Sequence, residues 1–344
     1  MTTKLSSITR RSFCCRLAAM AVLPLAARCG ATAQTDPRRK IQTSILEVPG
    51  ARLYYETHGS GPVMLMVPGA SGTADSFRRV TEHLAAHYTV VIHDRRGFSR
   101  SKLDGPQDYA HRLETDADDV RRLVEHLSDK PATLFGSSSG GIIVLKVLTR
   151  HPSVVRTLVP HEPAAVRLLP DGQKRVDFFF EVYDLYRQSG IEPALKKFRE
   201  QTFAESDRQH MAGAPKNEYT LANATYWFEH ELRQYPAVDL DLGALKVHAD
   251  RIVPVAGRES RGYPAYEVNV ELSKKLGREW IELPGGHIGF NSQPAEFARE
   301  FVQALARTGS EAVMLFTMRR SIIGQTSFAC DRVTLRFKSV RSSR

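Results

Sequence analysis

The strongest constraint on the fold lies at residues 132–143, where Ala132-Thr133-Leu134-Phe135 runs into Gly136-Ser137-Ser138-Ser139-Gly140-Gly141 and then Ile142-Ile143. A strand that turns directly into a helix brings two backbones together, and glycines two residues either side of the apex remove the side chains that would collide. Gly136 and Gly140 flank Ser138 at those offsets. Ser137 and Gly141 flank Ser139 in the same way, which leaves the register within the serine triplet open.

Residues 42–307 supply the surroundings that such a turn needs. Two antiparallel opening strands are expected at 44–48 and 53–57, and buried strands at 63–67, 89–92, 132–135, 157–159, 251–256 and 280–283. Helical spacing over 116–127 puts Val120, Leu123, Val124 and Leu127 on one face, and 295–305 aligns Phe297, Phe301 and Leu305. Alternation of this kind defines an α/β chain with a mostly parallel central sheet and helices on both faces.

The alternation stops at 165–248, which reads as helical with no strand signal and holds 12 of the chain's 29 aromatic residues. Inserted after the sixth expected strand, between core segments 34–164 and 249–307, it is expected to form a lid that walls a pocket for an apolar or aromatic small molecule. Phe178, Phe179, Phe180 and Tyr183 are expected mostly to hold lid helices together, and Trp227 is the candidate substrate-binding residue.

The net charge of +10 suggests an acidic partner until it is located. Residues 1–33 carry Lys4, Arg10, Arg11, Arg16 and Arg28 without an acid, and 308–344 carry seven basic residues against Glu311 and Asp331. Those two ends account for the whole excess, and the neutral body excludes a phosphate-tracking stripe, so no nucleic-acid partner is expected. Arg10-Arg11, the apolar stretch 17–27 and Ala31-Thr32-Ala33 read as a twin-arginine-like export leader, with a mitochondrial presequence or a cytoplasmic protein with a mispredicted start as alternatives. That stretch is short and broken by Pro24, so no membrane span is expected. Three of four cysteines lie in the leader, which leaves Cys330 alone in the basic tail 308–344 and no internal disulfide. The tail reads as an appended, poorly ordered segment, and the sequence sets no oligomeric state.

Chemistry centres on the serine. A hydroxyl is a weak nucleophile and needs a base within hydrogen-bond reach, itself oriented by an acid. His287 is the only histidine after His248, in the glycine-rich stretch Leu283-Pro284-Gly285-Gly286-His287-Ile288-Gly289 beyond the last strand, where the base belongs. Two loops offer the acid: Glu162 follows Val159-Pro160-His161, and Glu259 follows Val255-Ala256-Gly257-Arg258. An oxyanion hole needs two backbone N–H donors, one from Ser139 and one from the 66–72 loop, with Ala70 the choice and Gly69 the alternative. No cluster has the spacing of a zinc site, and no phosphate loop or dinucleotide fingerprint is present, so neither metal nor cofactor is expected.

With these residues in place the chain resembles the α/β-hydrolase superfamily over 42–307, and within it the zearalenone lactonases, which open a resorcylic acid macrolactone. The matching features are Tyr54-Tyr55-Glu56, residues 59–62, Val67-Pro68, Gly97-Phe98-Ser99-Arg100-Ser101, Gly136-Ser137-Ser138-Ser139-Gly140, His161-Glu162 and Leu283-Pro284-Gly285 leading to His287. The resemblance implies the α/β-hydrolase fold, Glu162 as triad acid, Ala70 and Ser139 as oxyanion donors, and ester or lactone hydrolysis through an acyl-enzyme. Gly286, Gly289 and the 258–263 loop depart from the lactonase pattern, and the lid diverges most. A C–C bond hydrolase and a catalytically silent ligand-binding protein are the rival expectations.

Overall fold

The computed structural model describes residues 41–308. The expected leader and cleavage site, Cys330 and the expected tail beyond Thr308 lie outside the described residues.

The chain opens with a hairpin of β1 (Gln42–Val48) and β2 (Ala51–His58), then lays down β3 (Val63–Val67), β4 (Thr89–His93), β5 (Lys102–Leu103), β6 (Ala132–Ser137), β7 (Val155–His161), β8 (Val255–Gly257) and β9 (Ile281–Leu283). They form one sheet in the order β1-β2-β4-β3-β6-β7-β8-β9, with β5 paired to β2. Pairing is antiparallel at β1–β2, β2–β4 and β2–β5 and parallel across the rest. Side chains alternate along each buried strand: Leu65, Val67 and Leu134 enter one core, and Met64, Met66 and Phe135 the other.

Helices cover both faces. On one face lie α2 (Arg112–Leu127), α3 (Ser139–Arg150), α8 (Leu242–Val247) and α9 (Pro264–Leu276). On the other lie α1 (Arg78–Leu84), α10 (Gly289–Ser292) and α11 (Pro294–Arg307). Phe297 and Phe301 of α11 are fully buried, each contributing roughly 1.5–3 kcal/mol of hydrophobic stabilisation.

Two expectations change. The strand expected over 251–256 is continuous only from Val255: Arg251 belongs to a short helical turn, Ile252 makes an isolated parallel bridge to Leu158, and Pro254 has no N–H for a ladder bond. The two-residue β5 carries too little pattern to foresee and shifts the count, so the helical insertion expected after the sixth strand follows β7, at the same stretch of chain. That insertion contains α4 (Gly172–Ser189), α5 (Ile191–Thr202), α6 (Glu205–Ala212), α7 (Thr220–His230) and α8.

Topology also fixes where a ligand can bind. The chain leaves β3 for β4 on one side and later enters β6 on the other, so the carboxyl ends of β3 and β6 frame a crevice at the point where strand order reverses.

Candidate active site

Ser138 stands at that crevice, between the end of β6 and the start of α3, with φ 57° and ψ −119°. Positive φ is strained for a side chain with a Cβ, and the close approach of strand and helix enforces it. A Cβ on Gly136 would lie 2.2 Å from the Gly140 carbonyl oxygen, and one on Gly140 would lie 2.1 Å from that of Val67. The apex of the turn therefore falls on Ser138, while Ser139 is buried in the first turn of α3.

Glu162, just past β7, has φ 45° and is buried. Its two carboxylate oxygens are both engaged: Oε2 lies 2.6 Å from Nδ1 of His287, and Oε1 accepts from the Gly257 N–H at 2.7 Å. Burial opposes charge on each partner, but the hydrogen bond and the opposite charge outweigh it, so the Glu162 carboxyl is held below the usual range and the His287 imidazole is raised. With Nδ1 facing a carboxylate, Nε2 is left as the acceptor when the ring is neutral. Glu259 sits elsewhere: its exposed carboxylate accepts from Ser206 Oγ at 2.5 Å and from Gln293 Nε2 at 2.9 Å. His161 is buried 6.1 Å from the His287 ring among Phe135, Phe290 and Phe297, and burial pushes its pKa down to about 4, so it stays neutral.

Gly69, Ala70 and Ser71 lie across the crevice from the serine turn. A Cβ on Gly69 would meet the Ser138 Cβ at 2.9 Å, so only glycine fits there. The Gly69 carbonyl accepts from Gly72 N–H and from Arg95 Nη2, both at 2.9 Å, which fixes the loop.

Three residues that sequence reasoning missed tie the insertion to these loops. Buried Glu231 accepts from Arg95 at 2.7 and 2.9 Å and from Arg112 Nε at 3.0 Å, holding the same Arg95 that bonds Gly69. Asn223 on α7 exchanges two 2.8 Å bonds with Ser99 and reaches the Ser71 carbonyl at 3.2 Å. Buried Asp207 on α6 accepts from the His287 N–H at 2.8 Å and from the Ile288 N–H at 3.3 Å. Each lies among polar or aromatic neighbours with no motif, so only tertiary contact reveals it.

Ser138, Ser139, His287, Gly69 and Ala70 all line one cavity of about 930 Å³. Its apolar wall includes Phe77, Phe179, Leu195, Phe198, Phe203 and Trp227. Of the insertion aromatics, Phe179, Phe198, Phe203 and Trp227 reach the cavity, Phe178 and Tyr183 pack on the core, and Phe180 is exposed. Among the described residues no group of three or more His, Cys, Asp or Glu could hold a metal ion, and no helix is long and apolar enough to cross a membrane.

Residues 62–290 match the family model for the α/β-hydrolase fold, and the chain belongs to that hydrolase family. It is 37% identical over 272 residues to YraK, an uncharacterized hydrolase of Bacillus subtilis, spanning 78% of this chain and 97% of that one. It is 30% identical over 271 residues to a zearalenone hydrolase of Cladophialophora bantiana, spanning 77% and 96%. A thermophilic esterase from Thermogutta terrifontis shares the fold, with TM-score 0.61 and 18% identity over 78% of this chain and 99% of that one.

Proposed function

We propose that the protein is a serine hydrolase of bulky apolar or aromatic carboxylic esters or lactones. The observation that carries this reading is a strained serine facing the same cavity as a buried histidine whose Nδ1 is held by a carboxylate.

In this mechanism Ser138 Oγ attacks the carbonyl carbon while His287 Nε2 takes its proton and Glu162 holds the imidazolium through Nδ1–H. The Ala70 and Ser139 N–H groups stabilise the oxyanion. The C–O bond then breaks, His287 protonates the departing alkoxide, and an acyl-Ser138 ester is left. In a lactone the freed hydroxyl stays tethered to the acyl group. Water gives a proton to His287 and attacks the acyl carbon, and as the acyl C–Oγ bond breaks His287 returns that proton to Ser138 Oγ, releasing the acid and restoring the serine. The helical insertion acts as a lid, and Trp227 and Phe179 bear on the substrate's apolar body. The resemblance to a zearalenone hydrolase supports including macrolactones in the substrate class. A cavity of this size suits a drug-sized ligand rather than an acetate ester.

A fluorophosphonate probe and a panel of aryl esters, simple lactones and a resorcylic macrolactone test this. The expected result is a covalent adduct on Ser138, lost in Ser138→Ala, with turnover favouring bulky substrates. Full turnover by Ser138→Ala would overturn the mechanism.

A further inference from the structure

The base loop carries a carboxylate contact that the proposed reaction does not use. The insertion supplies the acceptor: Asp207, in the first turn of α6, buries its carboxylate under residues 286–288. A Cβ on Gly286 would lie 2.3 Å from Asp207 Oδ2, so glycine there allows the carboxylate to close on the loop backbone. Both oxygens are spent on consecutive N–H groups, those of His287 and Ile288. Two hydrogen bonds to adjacent amides fix the orientation of the peptide planes on either side of the His287 Cα, and with them the direction in which the imidazole leaves the backbone.

We infer that Asp207 is a positioning residue for His287, so that the insertion supplies part of the active geometry as well as a wall of the cavity. The inference rests on the reading of Ser138 and His287 as nucleophile and base. The imidazole then has two independent supports: Glu162 from the sheet side sets its tautomer, and Asp207 from the insertion sets the backbone from which it hangs. Loss of the Asp207 contacts would release the second support and slow proton transfer while leaving Glu162 in place.

Charge gives a readout that simple scaffolding would not move. The titratable groups around the imidazole are Glu162, Asp207 and the neutral His161. Burial raises the Asp207 carboxyl above the usual range, and in its anionic form it favours the imidazolium, so replacing it with a neutral side chain lowers the pKa of His287. The base must be neutral to act, so the acid limb of the pH profile of kcat/KM moves to lower pH.

The experiment compares wild type, Asp207→Asn, Asp207→Glu, Ser138→Ala and Glu205→Gln on one aryl ester, over pH 4–9 (roughly the span in which an imidazole titrates). Glu205 shares α6 but is exposed and pairs with Arg208 and Gln209, so it controls for charge on the helix alone. Asp207→Asn keeps the volume and one acceptor. It is expected to lose roughly tenfold to a hundredfold in kcat with KM within about threefold, and to shift the acid limb down by about half a unit to one unit. Asp207→Glu keeps the charge on a longer arm, and should lose kcat with the acid limb in place; it carries the test if the asparagine variant does not fold. Glu205→Gln should match wild type. Wild-type kcat and acid limb in both Asp207 variants would overturn the positioning role even if Ser138→Ala is inert, whereas an active Ser138→Ala would overturn the underlying mechanism instead.

Discussion

Replacing Glu162 by Gln isolates the acid, because the side chain keeps its shape and loses one acceptor. The carboxylate receives two donors, His287 Nδ1–H at 2.6 Å and Gly257 N–H at 2.7 Å. A glutamine offers one oxygen and one NH₂, so only one donor can be served. If the oxygen stays on Gly257, the NH₂ faces Nδ1 and drives the ring proton to Nε2, where it blocks uptake of the serine proton. If the oxygen faces Nδ1, the buried Gly257 N–H loses its acceptor at a cost of about 1–3 kcal/mol. The first arrangement avoids that cost, so kcat should fall by about a thousandfold to ten-thousandfold, equivalent to about 4–5.5 kcal/mol in the barrier. Loss of the negative charge should also lower the His287 pKa, moving whatever acid limb remains to lower pH. Steady-state hydrolysis of an aryl ester, with circular dichroism as a check of folding, measures both effects. Glu259→Gln should stay within about threefold of wild type, its carboxylate being exposed and bonded to Ser206 and Gln293. A Glu162→Gln enzyme within tenfold of wild type, or a larger loss in Glu259→Gln, would refute the assignment.

Glu231→Gln should lower unfolding free energy by about 3–5 kcal/mol in urea titration, because it strips a buried anion from Arg95 and Arg112. Gly69→Ala should lower kcat by roughly a hundredfold with little change in Tm, since the added methyl pushes on the Ser138 side chain and the Ser137 carbonyl rather than on the core. Trp227→Ala should raise KM for a naphthyl ester far more than for the corresponding ethyl ester, and equal effects on the two would place the indole away from the substrate. Folding raises the His287 pKa, so the linked stabilisation is complete below the ordinary imidazole value of about 6.5 and is lost as pH rises through the folded value. Tm of the wild type should decline across that window, and the decline should flatten in Glu162→Gln.

What could be read from the chain depended on whether the physics was local. The strand-to-helix turn at Ser138 was legible because Gly136 and Gly140 answer a clash within a few residues, and the sheet because Met64, Leu65, Phe135 and Leu158 sit in short apolar runs. The choice between Glu162 and Glu259 was not local. Both follow strands that end beside the histidine loop, and Glu259 even bonds its own N–H to the Gly285 carbonyl at 3.0 Å. What separates them is the direction of the side chain, set by the left-handed backbone at Glu162. No propensity scale reports such a conformation for a glutamate, because it exists only where neighbours enforce it.

The same reasoning explains why the insertion's bonds to the crevice loops were invisible in the sequence. Among the described residues the non-glycine positions at positive φ are Ser99, Ser138 and Glu162, and all three belong to loops around the crevice. Strained backbone persists where surrounding bonds over-determine it. Ser138 is fixed by its N–H to the His161 carbonyl at 3.0 Å and by the start of α3, and Glu162 by its N–H to the Val255 carbonyl at 3.1 Å, contacts internal to the sheet and its edges. Ser99 is fixed instead by Asn223 of the insertion, which also holds the Ser71 carbonyl in the loop facing the serine. With Asp207 on the histidine loop and Glu231 behind Arg95 and Gly69, the insertion grips three segments around the crevice. Exchanging the insertion for that of a relative should therefore lower kcat on every ester tested, and grafting Asp207, Asn223 and Glu231 into the foreign segment should recover most of the loss.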